Sequence, residues 1–340
     1  MRRPDRTAQE ALEVAKLYFY SGLTTEQIAR EMKVSRPKVS RLLTFAKESG
    51  MVEITIHDTD QSMAPFAREI RDCFSLNSVQ VVPVPEVLGE VLWLERVAKQ
   101  AASYLNSILQ PGMTVGLAWG TTLSAVSEHL IPKQVGKLNF VQLNGSGNTW
   151  TNDNSYAARI LQSFADNYQA RIYLFPVPTF FDYRETKDAM WRERSIQRVV
   201  QMQSNAEVLL YSIGSVSAGV PSHVYSGGYL EPKDLKELKN QGVVGDLATV
   251  FYREDGSYQN ISINARASGP PLDLYPKARH SICVVSGLAK VPGLIAALRA
   301  GYIRDLIVDE PTARDLMERI SDHNTRTSGG TDGSTVRSRV

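Results

Sequence analysis

At 340 residues the chain has room for one small and one large domain, and a formal net charge of +2 excludes a nucleic-acid surface spread over the whole molecule. The basic excess sits at the front: residues 1–57 carry ten Lys/Arg against seven Asp/Glu, and the remainder carries 28 against 29. Cys73 and Cys283, far apart in apolar runs, are expected as buried thiols; five scattered histidines lack metal-ligand spacing, and no apolar run reaches membrane-spanning length, so a cytoplasmic protein without metal or cofactor is expected.

The first predicted element is an amphipathic helix over 8–20, with Ala8, Leu12, Ala15 and Phe19 on one stripe. Thr24 then opens a short helix. With Gln27 three residues on, it fits a capping box, and Ile28, Ala29 and Met32 fall at one-turn spacing. A second short helix starts at Ser35 or Arg36. Pro37 is tolerated in its first turn, where a missing N–H has no intrahelical partner to lose. Val39, Leu42 and Leu43 are assigned to the core, and Ser35, Arg36, Lys38, Ser40 and Arg41 to the outer face. Five basic residues and no acidic one lie between Lys33 and Lys47. This is the pattern of a helix-turn-helix, whose second helix meets base edges and phosphates. A solvated charged helix would share the basic face, but the helix over 8–20 supplies the third element that such a motif needs to bury its apolar sides. The candidate DNA-contacting residues are Thr24, Ser35, Arg36, Pro37, Lys38, Ser40 and Arg41. Residues 50–56 read as a turn and short strand, a wing.

Polar residues 58–62 make a linker. Beyond it, helices are expected over 63–74, 88–109, 121–130, 155–168, 185–204, 232–240, 291–300 and 312–320. Strands are expected over 79–84, 114–118, 139–143, 171–176, 208–213, 247–252, 281–285 and 306–308. Near-continuous apolar strands alternating with helices indicate a mostly parallel sheet covered on both faces. Asp255-Gly256 looks like the turn of a hairpin joining 248–253 to 258–263. From Asn324 the chain is rich in Thr, Ser, Gly and Arg, the composition of a disordered tail.

Ligands of such sheets bind at the carboxyl ends of the strands. Gly120-Thr121-Thr122 opens a helix there and offers amides and two hydroxyls to an anion. Asn144-Gly145-Ser146-Gly147-Asn148, Gly214-Ser215 and Ser286-Gly287 follow other strands. Lys290 supplies a cation, and Asp246, at the start of a strand, a carboxylate suited to sugar hydroxyls. Each loop alone is what a tight turn requires. Their convergence suggests a pocket for a small phosphorylated sugar or polyol.

Both halves together resemble the SorC-type, sugar-binding family of bacterial transcriptional regulators, which includes a deoxyribonucleoside regulator. The resemblance runs from about Ala8 to Ile320. It is carried by Val34-Ser35-Arg36-Pro37-Lys38-Val39-Ser40-Arg41-Leu42-Leu43, Val115-Gly116-Leu117-Ala118-Trp119-Gly120-Thr121-Thr122, Gln142-Leu143-Asn144-Gly145, Gly242-Val243-Val244-Gly245-Asp246, the run from Lys290 to Ala300, and Leu306-Ile307-Val308-Asp309-Glu310. It implies a helix-turn-helix domain over 1–57 and, over 63–323, an α/β effector and oligomerisation domain with the fold of sugar-phosphate isomerases and CoA transferases; 324–340 is the tail. It further implies that Gly120, Thr121 and Thr122 hold a phosphate, that Asn144 and Gly145 line the sugar, that Asp246 accepts from its hydroxyls, and that Lys290 neutralises the anion. Where the family commonly has paired glycines, Ser146 follows Gly145 here. Ser286-Gly287-Leu288-Ala289 likewise replaces a glycine pair before the lysine, which bears on the choice of sugar.

The function expected is a repressor-type regulator of a sugar or nucleoside catabolic operon, with operator DNA, a phosphosugar and further copies of itself (a homodimer or homotetramer) as partners and no membrane contact. The competing reading is a sugar-phosphate isomerase or deaminase carrying a DNA-binding arm. Its weakness is that the loops supply one carboxylate and one amine, with no histidine to join them.

Overall fold

The computed structural model describes residues 3–19, 23–52, 63–85, 87, 89–147, 154–215 and 222–328, and the chain divides into two units, Met1–Asp60 and Gln61–Val340. The first unit is helical: α1 (Arg3–Phe19), α2 (Thr25–Glu31) and α3 (Arg36–Glu48). The capping box forms as its spacing predicts. Gln27 N–H donates to Thr24 Oγ1 at 3.3 Å, and Thr24 N–H donates to Gln27 Oε1 at 2.8 Å. Between α2 and α3, Lys33 takes φ +53° and Val34 N–H returns to Ala29 O at 2.9 Å, a left-handed stop that reverses the chain. Ser35 is the N-cap of α3, and Pro37 lies in its first turn.

The apolar stripe of α1 differs from the sequence reading. Ala11, Val14 and Ala15 are buried against Ile28, Ala29, Val39, Leu42 and Ala46, whereas Leu12 is 42% and Phe19 39% exposed. The two alanines let α1 approach its neighbours closely, and close packing selects that face over the bulkier one. Of the turn and wing expected over 50–56, the turn is present, with Gly50 at φ +72° after α3; residues 53–56 and the linker at 58–62 lie outside the described residues.

The second unit opens with α4 (Met63–Phe74), β1 (Ser78–Val82), α5 (Gly89–Ile108), β2 (Thr114–Leu117), α6 (Thr121–Glu128), β3 (Asn139–Gln142), α7 (Asn154–Tyr168) and β4 (Arg171–Tyr173). It continues through α8 (Arg184–Met190), α9 (Arg194–Ser204), β5 (Val208–Tyr211), β6 (Ile213–Gly214), α10 (His223–Ser226), α11 (Pro232–Asn240), β7 (Val243–Leu247) and β8 (Val250–Arg253). The last elements are β9 (His280–Val285), α12 (Val291–Arg299), β10 (Asp305–Asp309) and α13 (Glu310–Ser328). A seven-stranded parallel sheet runs β1-β10-β9-β5-β2-β3-β4, and β6-β7-β8 form a small antiparallel sheet.

Strand residues alternate between two cores. Val115, Leu117, Val208, Leu210, Ile282 and Ile307 meet α5, α6 and α7 on one face. Leu209, Tyr211, Cys283, Val285, Leu306 and Val308 meet α4, α12 and α13 on the other. Burial on both faces is why these strands read as continuous apolar runs.

Several boundaries differ from expectation for tertiary reasons. The segment 247–252 is not one strand: Ala248 (φ +43°) and Thr249 (φ +72°) make a two-residue turn between β7 and β8. Asp255-Gly256 does turn, but no strand follows it. Asn264 takes the place of a neighbouring strand, its side chain accepting from Phe251 N–H at 2.9 Å and donating to Phe251 O at 2.8 Å. The helix expected over 185–204 breaks at Trp191, whose ring packs on Phe175 and Phe181 with centroids 5.5 and 5.8 Å away. Asp246 falls near the end of β7 rather than at the start of a strand. Cys283 is buried, but Cys73 is exposed on α4. Helix α13 runs on through Ser328, past Asn324 where a tail was expected; 329–340 lie outside the described residues. No helix among the described residues is long and apolar enough to cross a membrane, and they hold no cluster of three potential metal ligands.

Candidate functional site

Strands β2 and β5 are neighbours in the sheet, yet the chain leaves β2 toward β4 and leaves β5 toward β1. Such a switch point opens a crevice at the strands' carboxyl ends. A cavity lies there, and six residues expected to contact a ligand line it: Gly120, Thr121, Thr122, Asn144, Asp246 and Lys290. Gly120, at φ +144°, is in a conformation reserved for glycine and forms the N-cap of α6 without any side-chain cap. The helix therefore presents its first turn and the positive end of its dipole to the cavity.

Lys290 is 6% exposed. Its Nζ makes only long contacts, 3.5 Å to Thr122 Oγ1 and 3.4 Å to Ser212 Oγ, and no carboxylate among the described residues lies within 4 Å. Burial lowers its pKa, while Cys283, Glu90, Asp246 and Asp309 pull the other way. A buried ammonium without a counter-ion is costly unless something anionic is meant to join it. The turn that carries it is pinned at Gly287 (φ +105°), whose N–H donates to Asp309 Oδ2 at 3.1 Å and Thr312 Oγ1 at 3.0 Å.

Asp246 is 3% exposed. Oδ1 accepts from Tyr225 Oη–H and Oδ2 from Thr249 N–H, each at 3.0 Å. Burial pushes its pKa up to about 6, against the pull of Thr249, Tyr225 and Lys290. Gly214 leaves the carboxylate its space, since a Cβ there would lie 1.8 Å from Oδ1. Thr249, a β-branched residue in a left-handed conformation, places strain in the wall of the cavity. The buried Asn144 Oδ1 has no hydrogen-bond partner among the described residues. The cavity thus joins a cationic end at α6 and Lys290 to acceptor oxygens on Asn144 and Asp246.

Gly145 does not line this cavity. A Cβ there would sit 2.3 Å from Val177 O and 2.6 Å from Pro178 O, and its own N–H donates to Ser268 Oγ at 2.9 Å. Its place is a close backbone crossing. Gly145→Ala should cost about 1–3 kcal/mol of stability, the range for overpacking, readable as a fall in denaturation midpoint. Ser212, Gly214, Tyr225 and Thr249 belong to the neighbourhood of the cavity but were not among the candidates. Gly214 was signalled as a loop glycine; the contacts of Tyr225 and Thr249 have no local sequence signal. A larger groove lies beside Gln142, Phe175 and Arg266. Two of its polar side chains are engaged by the protein itself: Gln142 with Asn144 O and Phe175 N–H, and Arg266 with Asp234 and Phe181 O.

In the first unit, Arg36, Pro37, Ser40 and Arg41 are exposed at one-turn spacings on α3, with Ser35 exposed at its cap. Lys38 instead pairs with Glu10 of α1 at 2.7 Å. Thr24 is exposed, its oxygen engaged by the capping box.

Residues 60–318 match the family described as "Putative sugar-binding domain". The chain is 34% identical over 316 residues to the deoxyribonucleoside regulator of Bacillus subtilis (strain 168), covering 92% of this chain and 99% of that one. It is 26% identical over 312 residues to the erythritol catabolism regulatory protein EryD of Brucella abortus (strain 2308), covering 90% and 96%. Among solved structures, a domain of a "possible sugar-binding transcriptional regulator" from Arthrobacter aurescens TC1 superposes with TM-score 0.70 at 44% identity, covering 77% of this chain and 99% of that one. The full-length sorbitol operon regulator SorC of Klebsiella pneumoniae superposes with TM-score 0.79 at 23% identity, covering 91% and 98%, a likeness of fold.

Proposed function

This chain belongs to the SorC-type sugar-binding family of transcriptional regulators, and on that premise we propose that its operator affinity is set by a small phosphorylated sugar held at the carboxyl ends of β2, β3, β5 and β9. It is a DNA-binding regulator of sugar or nucleoside metabolism genes and not an enzyme, as its relatives are. The observation that carries the phosphosugar reading is Lys290, a buried cation with no carboxylate among the described residues within 4 Å, beside the N-terminal turn of α6. Gly120, Thr121 and Thr122 with Lys290 take the phosphate, and Asn144 and Asp246 accept from sugar hydroxyls. Gly145 supports this site from behind.

On the DNA side, Arg36, Ser40 and Arg41 face base edges and phosphates, Thr24, Ser35 and Pro37 border the backbone, and Lys38 orients α3 through Glu10. The acting form is a homodimer or homotetramer in the cytoplasm, because paired recognition helices read paired half-sites. Effector and operator each favour a different arrangement of the oligomer, so binding one shifts the affinity for the other, and a repressor is released or retained accordingly.

Asp246 gives the reading a test with two readouts. Its carboxyl ionises near pH 6 in the folded protein and near 3.8 when unfolded. The folded state therefore holds the proton over a window in which the unfolded state has lost it. The contribution of this group to stability is greatest below about pH 4, falls as pH rises to about 6, and stays low above that. Asp246→Asn should thus stabilise the effector-free protein at pH 7.5, by about 1–3 kcal/mol, while weakening its binding of sugar phosphates. Thermal denaturation with and without ribose 5-phosphate, 2-deoxyribose 5-phosphate, fructose 6-phosphate and glucose 6-phosphate reads both effects. Loss of stability together with unchanged binding would remove Asp246 from the site.

A further inference from the structure

We propose that Tyr225, a residue with no role in the reading so far, is the positioning residue that aims the Asp246 carboxylate at the effector; this rests on the assignment of the pocket proposed above. Asp246 has two anchors among the described residues, and they differ in kind. One is the main-chain N–H of Thr249, fixed by the turn between β7 and β8, which holds Oδ2 at 3.0 Å. The other is the Tyr225 hydroxyl, which holds Oδ1 at 3.0 Å from a different element, α10. Each oxygen keeps a further lone pair for a ligand hydroxyl.

Among the described residues no other hydrogen bond orients the Oδ1 end. The neighbouring residue there is Gly214, and the carboxylate occupies the very space a side chain at 214 would need. Without Tyr225 the carboxylate can rotate about its Cβ–Cγ bond away from the ligand, held at one oxygen only. Tyr225 is itself held: its ring packs edge-on against Phe251 with centroids 6.2 Å apart. Its hydroxyl keeps its proton, because burial and the adjacent carboxylate push its pKa well up. Ser222, the N-cap of α10, and Val224, the residue before Tyr225, line the pocket. Tyr225 thus couples the position of α10 to the direction of the carboxylate.

The groups facing Asp246 separate this role from a packing role. Lys290 and Thr249 N–H favour the carboxylate anion as Tyr225 does. Tyr252 on β8 and Tyr275 in the turn at Leu272–Lys277 are buried phenols whose own pKa values the carboxylate raises, so they stay neutral. Removing the Tyr225 hydroxyl therefore takes away one stabiliser of the anion and leaves the other charges in place. The midpoint for binding through an ionised Asp246 must move to higher pH.

The test is Tyr225→Phe in the full-length protein, measured by calorimetric titration of the four sugar phosphates named above between pH 5 and 8, beside wild type and Asp246→Asn. The expected result is about a tenfold weaker affinity at pH 7.5 for the sugar phosphate that wild type binds. The acid-side midpoint should rise, and inorganic phosphate should bind as it does to wild type. If Asp246→Asn loses affinity while Tyr225→Phe matches wild type in affinity and pH profile, Tyr225 is not a positioning residue and the pocket assignment stands. If Tyr225→Phe binds more weakly with an unmoved pH midpoint, its effect is one of packing and the inference is overturned. If wild type binds none of the four, or Asp246→Asn binds as wild type does, the pocket assignment fails and this inference falls with it.

Discussion

Lys290→Met should abolish the response of operator affinity to sugar phosphates without destabilising the fold. The side chain is almost wholly buried and its Nζ reaches two hydroxyls at the outer limit of hydrogen bonding. Burial lowers the pKa of the amine, so its charge is carried at a cost to the folded state. Methionine fills nearly the same volume and removes that cost, so the effector-free protein should denature at the same temperature or higher. Binding should suffer far more. A unit charge about 4 Å from a phosphate in a partly buried site contributes about 4 kcal/mol at an effective dielectric of 20, so a 100- to 1000-fold loss of sugar-phosphate affinity is expected on the order-of-magnitude scale. Lys290→Arg should not restore wild-type binding, because the larger planar guanidinium does not fit a space shaped for an ammonium. Titration of the variants with the same sugar phosphates measures both claims.

The second large effect belongs to α3. Arg36→Ala and Arg41→Ala remove exposed cations from the face opposite Val39 and Leu42. Each should cost about 1–3 kcal/mol of operator affinity if its guanidinium reads a base, with relaxed preference at the matching position. A substitution that loses a phosphate contact instead weakens all sequences alike and lowers the slope of log affinity against log salt by about one per contact. Lys38→Ala should matter less to DNA, since its ammonium is held by Glu10. Anisotropy of labelled operator and scrambled duplexes across a salt series separates these cases. Unchanged affinity and preference in the double arginine variant would mean that α3 is not the reading helix.

Those features of the fold that depend on neighbours in sequence were legible from the chain itself. The Thr24–Gln27 capping box is a contact between residues three apart, and its spacing is its cause. The parallel sheet was legible because strands buried on both faces must be apolar throughout, as β5 is. Gly120-Thr121-Thr122 was legible as a strand-to-helix turn, because a glycine between an apolar strand and a helical pattern marks the boundary where Gly120 takes φ +144°.

What was missed was decided by distant partners. Leu12 and Phe19 look like core residues, but Ala11 and Ala15 win the inner face by letting helices approach. Ala248-Thr249 carries none of the usual turn residues, so the break between β7 and β8 left no mark. The aromatic contacts of Trp191 stop a helix that its own sequence would have continued. Gly145 reads like a ligand-loop glycine, yet the constraint on it is the backbone of Val177 and Pro178. Tyr225 meets Asp246 across 21 positions of sequence, and no local pattern announces that pair.

The most direct test of the central claim is anisotropy of the full-length protein on its own upstream DNA at fixed salt, with and without each sugar phosphate, for wild type and Lys290→Met in parallel. The account predicts that one compound shifts wild-type affinity by about tenfold, a coupling of about 1.4 kcal/mol, and leaves Lys290→Met unmoved. An equal shift in both proteins, or sequence-specific DNA binding that no sugar phosphate alters, would contradict it.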